Sequence, residues 1–121
     1  MLLPLFLLPV GCQLTEIRQE LAAVDDQLPV ALADGVTVES VSLEGTEVLM
    51  TLTVVGPEYQ AAVSDVGQKE ALAIQLYGQW LQRMDPSMRQ RLKKAGCSVR
   101  FHVLFKPAGE WGDYVIANSD L

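Results

Sequence analysis

Two runs of strict apolar alternation, Thr46 to Val55 and Ser98 to Lys106, constrain the fold of this chain more than any other feature. In the first, Val48, Met50, Leu52 and Val54 share one face, and Leu49, Thr51 and Thr53 share the other. In the second, Val99, Phe101, Val103 and Phe105 alternate with Arg100 and His102. A period of two marks strands that bury one face and show water the other. Such a half-buried sheet needs a second layer to cover it, and the intervening sequence supplies one.

From Val66 to Met84 the spacing turns helical, with Leu72, Leu76 and Trp80 on one stripe and Ala73, Tyr77 and Leu81 alongside. Asp85-Pro86 reads as an N-cap followed by proline at the first helical position. Met88, Leu92 and Ala95 then line the inner face of a second, short helix that Gly96 closes. Upstream, Leu14, Ile17, Leu21, Val24 and Leu28 recur at steps of three and four, which predicts a helix over 14–28 ended by Pro29. The stretch on to Asp34-Gly35 reads as a connection and turn, and residues 58–65 as a loop or helical turn. Val36 to Leu43 reads as a strand whose alternation slips between Val38 and Val41, the mark of a bulge or a twist. It joins the first alternating run through a Glu44-Gly45 turn, and Tyr114 to Ala117 reads as a final strand after a turn at 107–109. The order helix, hairpin, helix pair, hairpin predicts an α+β fold: a four-stranded, mainly antiparallel sheet with helices packed on one face. At 121 residues there is room for a single domain.

The chemistry is sparse. One histidine, His102, sits in a strand with no second ligand at metal-binding spacing, and neither a phosphate-binding glycine loop nor a serine elbow occurs. No acid, base and nucleophile stand out as a set, so the chain reads as a binding protein without a cofactor and not as an enzyme. Asp25-Asp26 reads as the solvated end of a helix. A net charge of −6 argues against nucleic acid as partner. That charge is unevenly spread: residues 83–106 carry seven basic side chains and one acidic, whereas residues 107–121 carry three acidic and none basic. The basic set, with Arg89, Arg91 and Lys94 at its centre, is either a solvated helix face or a docking surface for an acidic peptide or anionic lipid. Trp111, placed in the last hairpin loop, is either a lid on the core or an exposed anchor for a partner.

Met1 to Val10 is uncharged and apolar, and it is too short to span a bilayer as a helix. With Gly11-Cys12 following, it looks like the end of a lipoprotein signal, cut before a cysteine that takes diacylglycerol. The pattern lacks a basic start, and Pro9 stands where leucine is preferred. The expected organisation is a signal over 1–11 and one domain over 12–121, anchored through Cys12. Two alternatives remain: an apolar segment packed in the core, or a secreted protein with a Cys12–Cys97 disulfide.

Leu28-Pro29, the run Gly35-Val36-Thr37-Val38-Glu39-Ser40-Val41-Ser42-Leu43-Glu44-Gly45, and Arg89 with Leu92-Lys93-Lys94-Ala95-Gly96-Cys97-Ser98-Val99-Arg100-Phe101 form a layout of their own. It resembles small bacterial envelope lipoproteins with a helix–hairpin–helix–hairpin domain, among them the beta-class pilotins of type II secretion. The resemblance covers about residues 13–121. It implies a periplasmic protein on the outer membrane, with Gln13 after the lipidated cysteine favouring that sorting. It also implies a peptide segment of another envelope protein as partner, such as the C-terminal segment of a secretin subunit. Such families often join the helix pair to the C-terminus by a disulfide, and here Met84 and Leu121 occupy the approximate places. A different expectation is a periplasmic inhibitor that inserts the 107–113 hairpin tip, with Trp111, into an extracytoplasmic enzyme.

Overall fold

The structure is a computed structural model that describes residues 9–56, 59, 65–106 and 109–121. Most of the predicted signal segment, the larger part of the 58–65 stretch and the turn residues 107–108 lie outside the described residues. The elements run α1 (Pro9–Asp25), β1 (Val30–Ala33), β2 (Val36–Glu44), β3 (Glu47–Val55), α2 (Val66–Arg83), α3 (Pro86–Lys94), β4 (Ser98–Lys106) and β5 (Glu110–Ile116), then a 3₁₀ turn, Asn118–Asp120. The five strands form one sheet in chain order, β1-β2-β3-β4-β5. Three neighbouring pairs are antiparallel, and the central pair, β3 with β4, is parallel. Parallel neighbours need a long crossover, and the α2–α3 helix pair supplies it.

The sheet therefore has one strand more than the four predicted from sequence. Val30–Ala33, read as a connection, is an edge strand paired with β2. It is four residues long and its register slips between Ala31 and Ala33, so it carries no alternation to detect. The helix before it ends at Asp25, three residues short of the prediction, because its last turn tightens. Gln27 N–H bonds Val24 C=O and Leu28 N–H bonds Asp25 C=O, ahead of the cis Leu28–Pro29 peptide. The last strand begins at Glu110, four residues earlier than expected.

Packing follows the alternation. Every second residue of β3 and β4, from Val48 to Val54 and from Val99 to Phe105, is buried on one face, together with Val36, Val38, Val41 and Leu43 of β2. All helices with buried faces lie on that side. Leu72, Leu76 and Trp80 of α2, Met88 and Leu92 of α3, and Ile17 and Leu21 of α1 join one hydrophobic cluster with the strands. Trp80 meets Phe101 edge-on, with centroids 6.2 Å apart at 83°. Cys97 is a free thiol with no exposure, and burial pushes its pKa up, so it behaves as a small apolar residue. That leaves no Cys12–Cys97 bridge.

Local signals set the joints. Asp85 caps α3 by accepting from Ser87 N–H at 2.9 Å, with Pro86 next in the first helical position. Gly96, at φ 75°, ends the motif, and the Asn118 amide donates to the carbonyls of Lys93 and Cys97, satisfying groups that the helix end leaves open. The β2 bulge falls where the alternation slips, between Val38 and Ser40. Asp25, read from sequence as a solvated helix end, instead accepts the Val41 N–H at 2.9 Å and so ties α1 to the bulged strand. Gly35, at φ 73°, turns β1 into β2 where the end of β3 passes. A Cβ there would stand 2.4 Å from the Val55 carbonyl oxygen, so only glycine fits.

Candidate functional site

Covering a five-stranded sheet with short helices leaves a gap where they diverge. It lies between α1, β1 and the α2–α3 corner, above β2 and β3. The cavity is about 500 Å³, within the range of ligand-binding clefts. Its floor is Val38, Val41, Val48 and Met50 of the sheet, and its walls include Leu21 and Val24 of α1, Trp80 of α2, and Met84 and Met88 at the corner. Three methionines line it, side chains that adapt to irregular apolar partners. At its lips Val24 and Val30 are 48% and 44% exposed, the places where the apolar stripe of α1 and the edge strand find no cover. The sequence put Val24 on the buried face of α1, and the groove is why it is not buried.

The polar groups at this groove are already engaged. Glu20 forms a two-pronged ion pair with Arg91 of α3, the Nη2 to Oε2 contact being 2.7 Å. Hydrogen bonding to that guanidinium holds the Glu20 carboxyl below its ordinary pKa. Glu20 is exposed and Arg91 half-buried at the surface, so the pair contributes about 1 kcal/mol or less to stability. Its geometric effect is to span α1 and α3. The Arg83 guanidinium donates to the Leu32 carbonyl, at the irregularity of β1. Asp85 is occupied as the α3 cap.

The basic set predicted from sequence is thus dispersed. Arg83 serves β1, Arg91 serves α1, and Lys93 Nζ donates to the Leu121 carbonyl at 3.1 Å. Arg89 and Lys94 stay exposed on the outer side of α3. Arg100 lies on the opposite face of the sheet. Met84 and Leu121, where the resemblance noted from sequence would place a disulfide, line one depression together with Arg89 and Lys93. Leu121 is buried and Met84 half-buried, so apolar packing stands where the bridge would be.

Trp111 is the largest correction among the predicted site residues. It is not in a loop tip but in β5, opposite Leu104 and on the uncovered face of the sheet. Its ring stacks on His102 with centroids 4.2 Å apart and planes 10° apart, and the residue is 53% exposed. His102 Nδ1 lies 2.5 Å from Asp113 Oδ1, and Asp113 also receives Arg100 at 3.4 Å. Arg100 in turn grips Glu47 at 2.8 and 3.4 Å, which raises its pKa. Symmetric counting from a 107–109 turn would pair Lys106 with Glu110 and set Tyr114 opposite His102; the strand instead pairs Phe105 with Glu110, and that one-residue shift brings Asp113 opposite His102. Among the described residues no hydrogen bond joins the imidazole to Thr51, its neighbour on β3. Among the described residues no group of three or more metal-ligating side chains forms, and no helix is long and apolar enough to cross a membrane.

No protein-family model matches the chain, and no curated protein matches it. Solved structures do. One is the pilotin EpsS of the Vibrio vulnificus type 2 secretion system, with a TM-score of 0.61 and 12% identity, covering 91% of this chain and 92% of that one. The type II secretion pilotin AspS of Vibrio cholerae follows, with a TM-score of 0.56 and 10% identity, covering 92% and 94%. A Pseudomonas aeruginosa protein inferred to be secreted gives a TM-score of 0.62 at 14% identity, covering 89% and 95%. Near-complete coverage in both directions means that the whole α+β arrangement is shared and not only a motif. At the level of fold, this chain is pilotin-like.

Proposed function

We propose that this chain is a lipid-anchored envelope protein that seats a peptide segment of another envelope protein, as a pilotin-like targeting or assembly factor. The observation that carries this reading is the groove between α1 and the α2–α3 corner, apolar throughout its floor and open at Val24 and Val30. A monomer gains nothing from bare valines beside a 500 Å³ apolar cleft, whereas a partner that fills it gains their burial. The dimensions suit a few anchor side chains from one face of an amphipathic helix. Arg89 and Lys94, exposed on the outer side of α3 and outside the groove's lining, would meet acidic residues of a partner that extends past the groove. Arg91 acts through Glu20, holding the two helices apart at a fixed width. The likeness to the Vibrio pilotins supports a secretin subunit as the partner.

Cys12 is the tether in this reading, released for acylation when residues 1–11 are removed. Gln13 after it directs the protein to the outer membrane, on the periplasmic side. The inhibitor reading has lost its inserting element, because Trp111 lies flat on the sheet against His102. The test is a pull-down from solubilised envelopes with the full chain as bait, run beside Cys12→Ser under radiolabelled palmitate. Label on the wild-type chain alone, with a secretin subunit in its eluate, is the expected result. Equal labelling of both chains, or an eluate without any secretin, contradicts the proposal.

A further inference from the structure

We propose that the free edge of β5 is a second docking site, distinct from the groove, which takes a basic extended segment of a partner polypeptide as an added strand. The two edges of the sheet differ. β1 is short and irregular, and the Leu32 carbonyl there is taken by Arg83. β5 runs seven residues in unbroken register with β4, from Glu110 opposite Phe105 to Ile116 opposite Val99, and among the described residues it pairs with β4 alone. An edge of that length and regularity offers backbone donors and acceptors to an incoming strand.

The side chains of that edge select what can pair with it. On the uncovered face β5 presents Trp111, Asp113 and Val115, all exposed. Trp111 is fixed from one side by His102, which is itself held by Asp113, so its other face is open and ordered before any partner arrives. Ordering an aromatic in advance lowers the entropic cost of using it. Arg100 spends its closest contact, 2.8 Å, on Glu47, and reaches Asp113 only at 3.4 Å. Asp113, 47% exposed and held by Arg100 only at 3.4 Å, therefore stands as an accessible carboxylate at the middle of the edge. The C-terminal segment 107–121 adds no base to offset it. An arginine or lysine on the added strand meets a cation–π face at Trp111 and an opposite charge at Asp113. A second copy of this chain is disfavoured as occupant, since antiparallel pairing of β5 with itself about its middle sets Asp113 against Asp113.

The experiment uses the full chain and a short capped peptide of alternating valine and arginine, with a valine–glutamate peptide as control. Labelled-peptide anisotropy should show saturable binding of the arginine peptide, falling with salt, and none of the glutamate peptide. Trp111→Ala should weaken it about tenfold. Asp113→Lys should abolish it, with Asp113→Asn as the milder variant in case the reversal perturbs folding. Hydrogen exchange should report new protection at Glu110–Ile116 and none along α1. Equal binding of both peptides, protection confined to α1 and β1, or unchanged affinity in Asp113→Asn at low salt would each overturn the proposal. So would concentration-dependent dimerisation that Trp111→Ala abolishes, because it would make a second copy the occupant.

Discussion

Phe101→Ala is expected to lower the unfolding free energy by about 3–5 kcal/mol, which for a domain of this size is a drop of roughly 10–20 °C in melting temperature. Phe101 has no exposure, lies in the central parallel pair opposite Met50, and meets Trp80 edge-on. Its removal therefore costs transfer energy, leaves a cavity that both layers line, and breaks a ring contact between helix and sheet. Leu104→Ala, on the same strand but on the uncovered face, is the internal control. Leu104 is only half-buried, so its truncation should cost about 1 kcal/mol or less. Melting curves of the two variants check the claim that one face carries the core. Equal losses would mean that the second face is also packed.

The second large effect concerns binding. Val24→Glu combined with Val30→Glu should weaken capture of the partner peptide by on the order of thirtyfold or more. A carboxylate placed in an apolar contact loses its hydration without gaining a partner. Because both valines are about half exposed in the free chain, the folding cost should stay within roughly 0.5 kcal/mol each. Circular dichroism and melting temperature close to wild type, alongside lost capture, would separate a binding defect from a folding one. Undiminished capture by this folded variant would remove the groove from the account.

The parts of this fold that sequence revealed are those fixed by neighbours along the chain. Asp85-Pro86 and Gly96 bracket α3, the slip at Val38 to Val41 marks a bulge, and the alternation of β3 and β4 names the core residues. What stayed hidden depends on pairing at a distance. β1 exists because β2 offers it an edge, not because Val30–Ala33 has a strand pattern. The parallel pairing of β3 with β4 comes from the crossover, which local spacing cannot announce. Glu110-Trp111-Gly112-Asp113 has the composition of a turn, and only its register with β4 makes it a strand. The Trp111–His102–Asp113–Arg100–Glu47 cluster, drawn from three strands, is invisible for the same reason. Asp25 looked solvated because its acceptor role needs a bulged amide contributed by another element.

Site-specific photocrosslinking in intact envelopes tests the central claim most directly. A photoreactive residue replacing Val24, on the lip of the groove, is compared with one replacing Ile74, which is 72% exposed on α2 and lines neither the groove nor the β5 edge. The account predicts one dominant adduct from position 24, with a peptide segment of an envelope protein in it, and none from position 74. Matching adducts from the two positions, or no adduct from position 24, would contradict it.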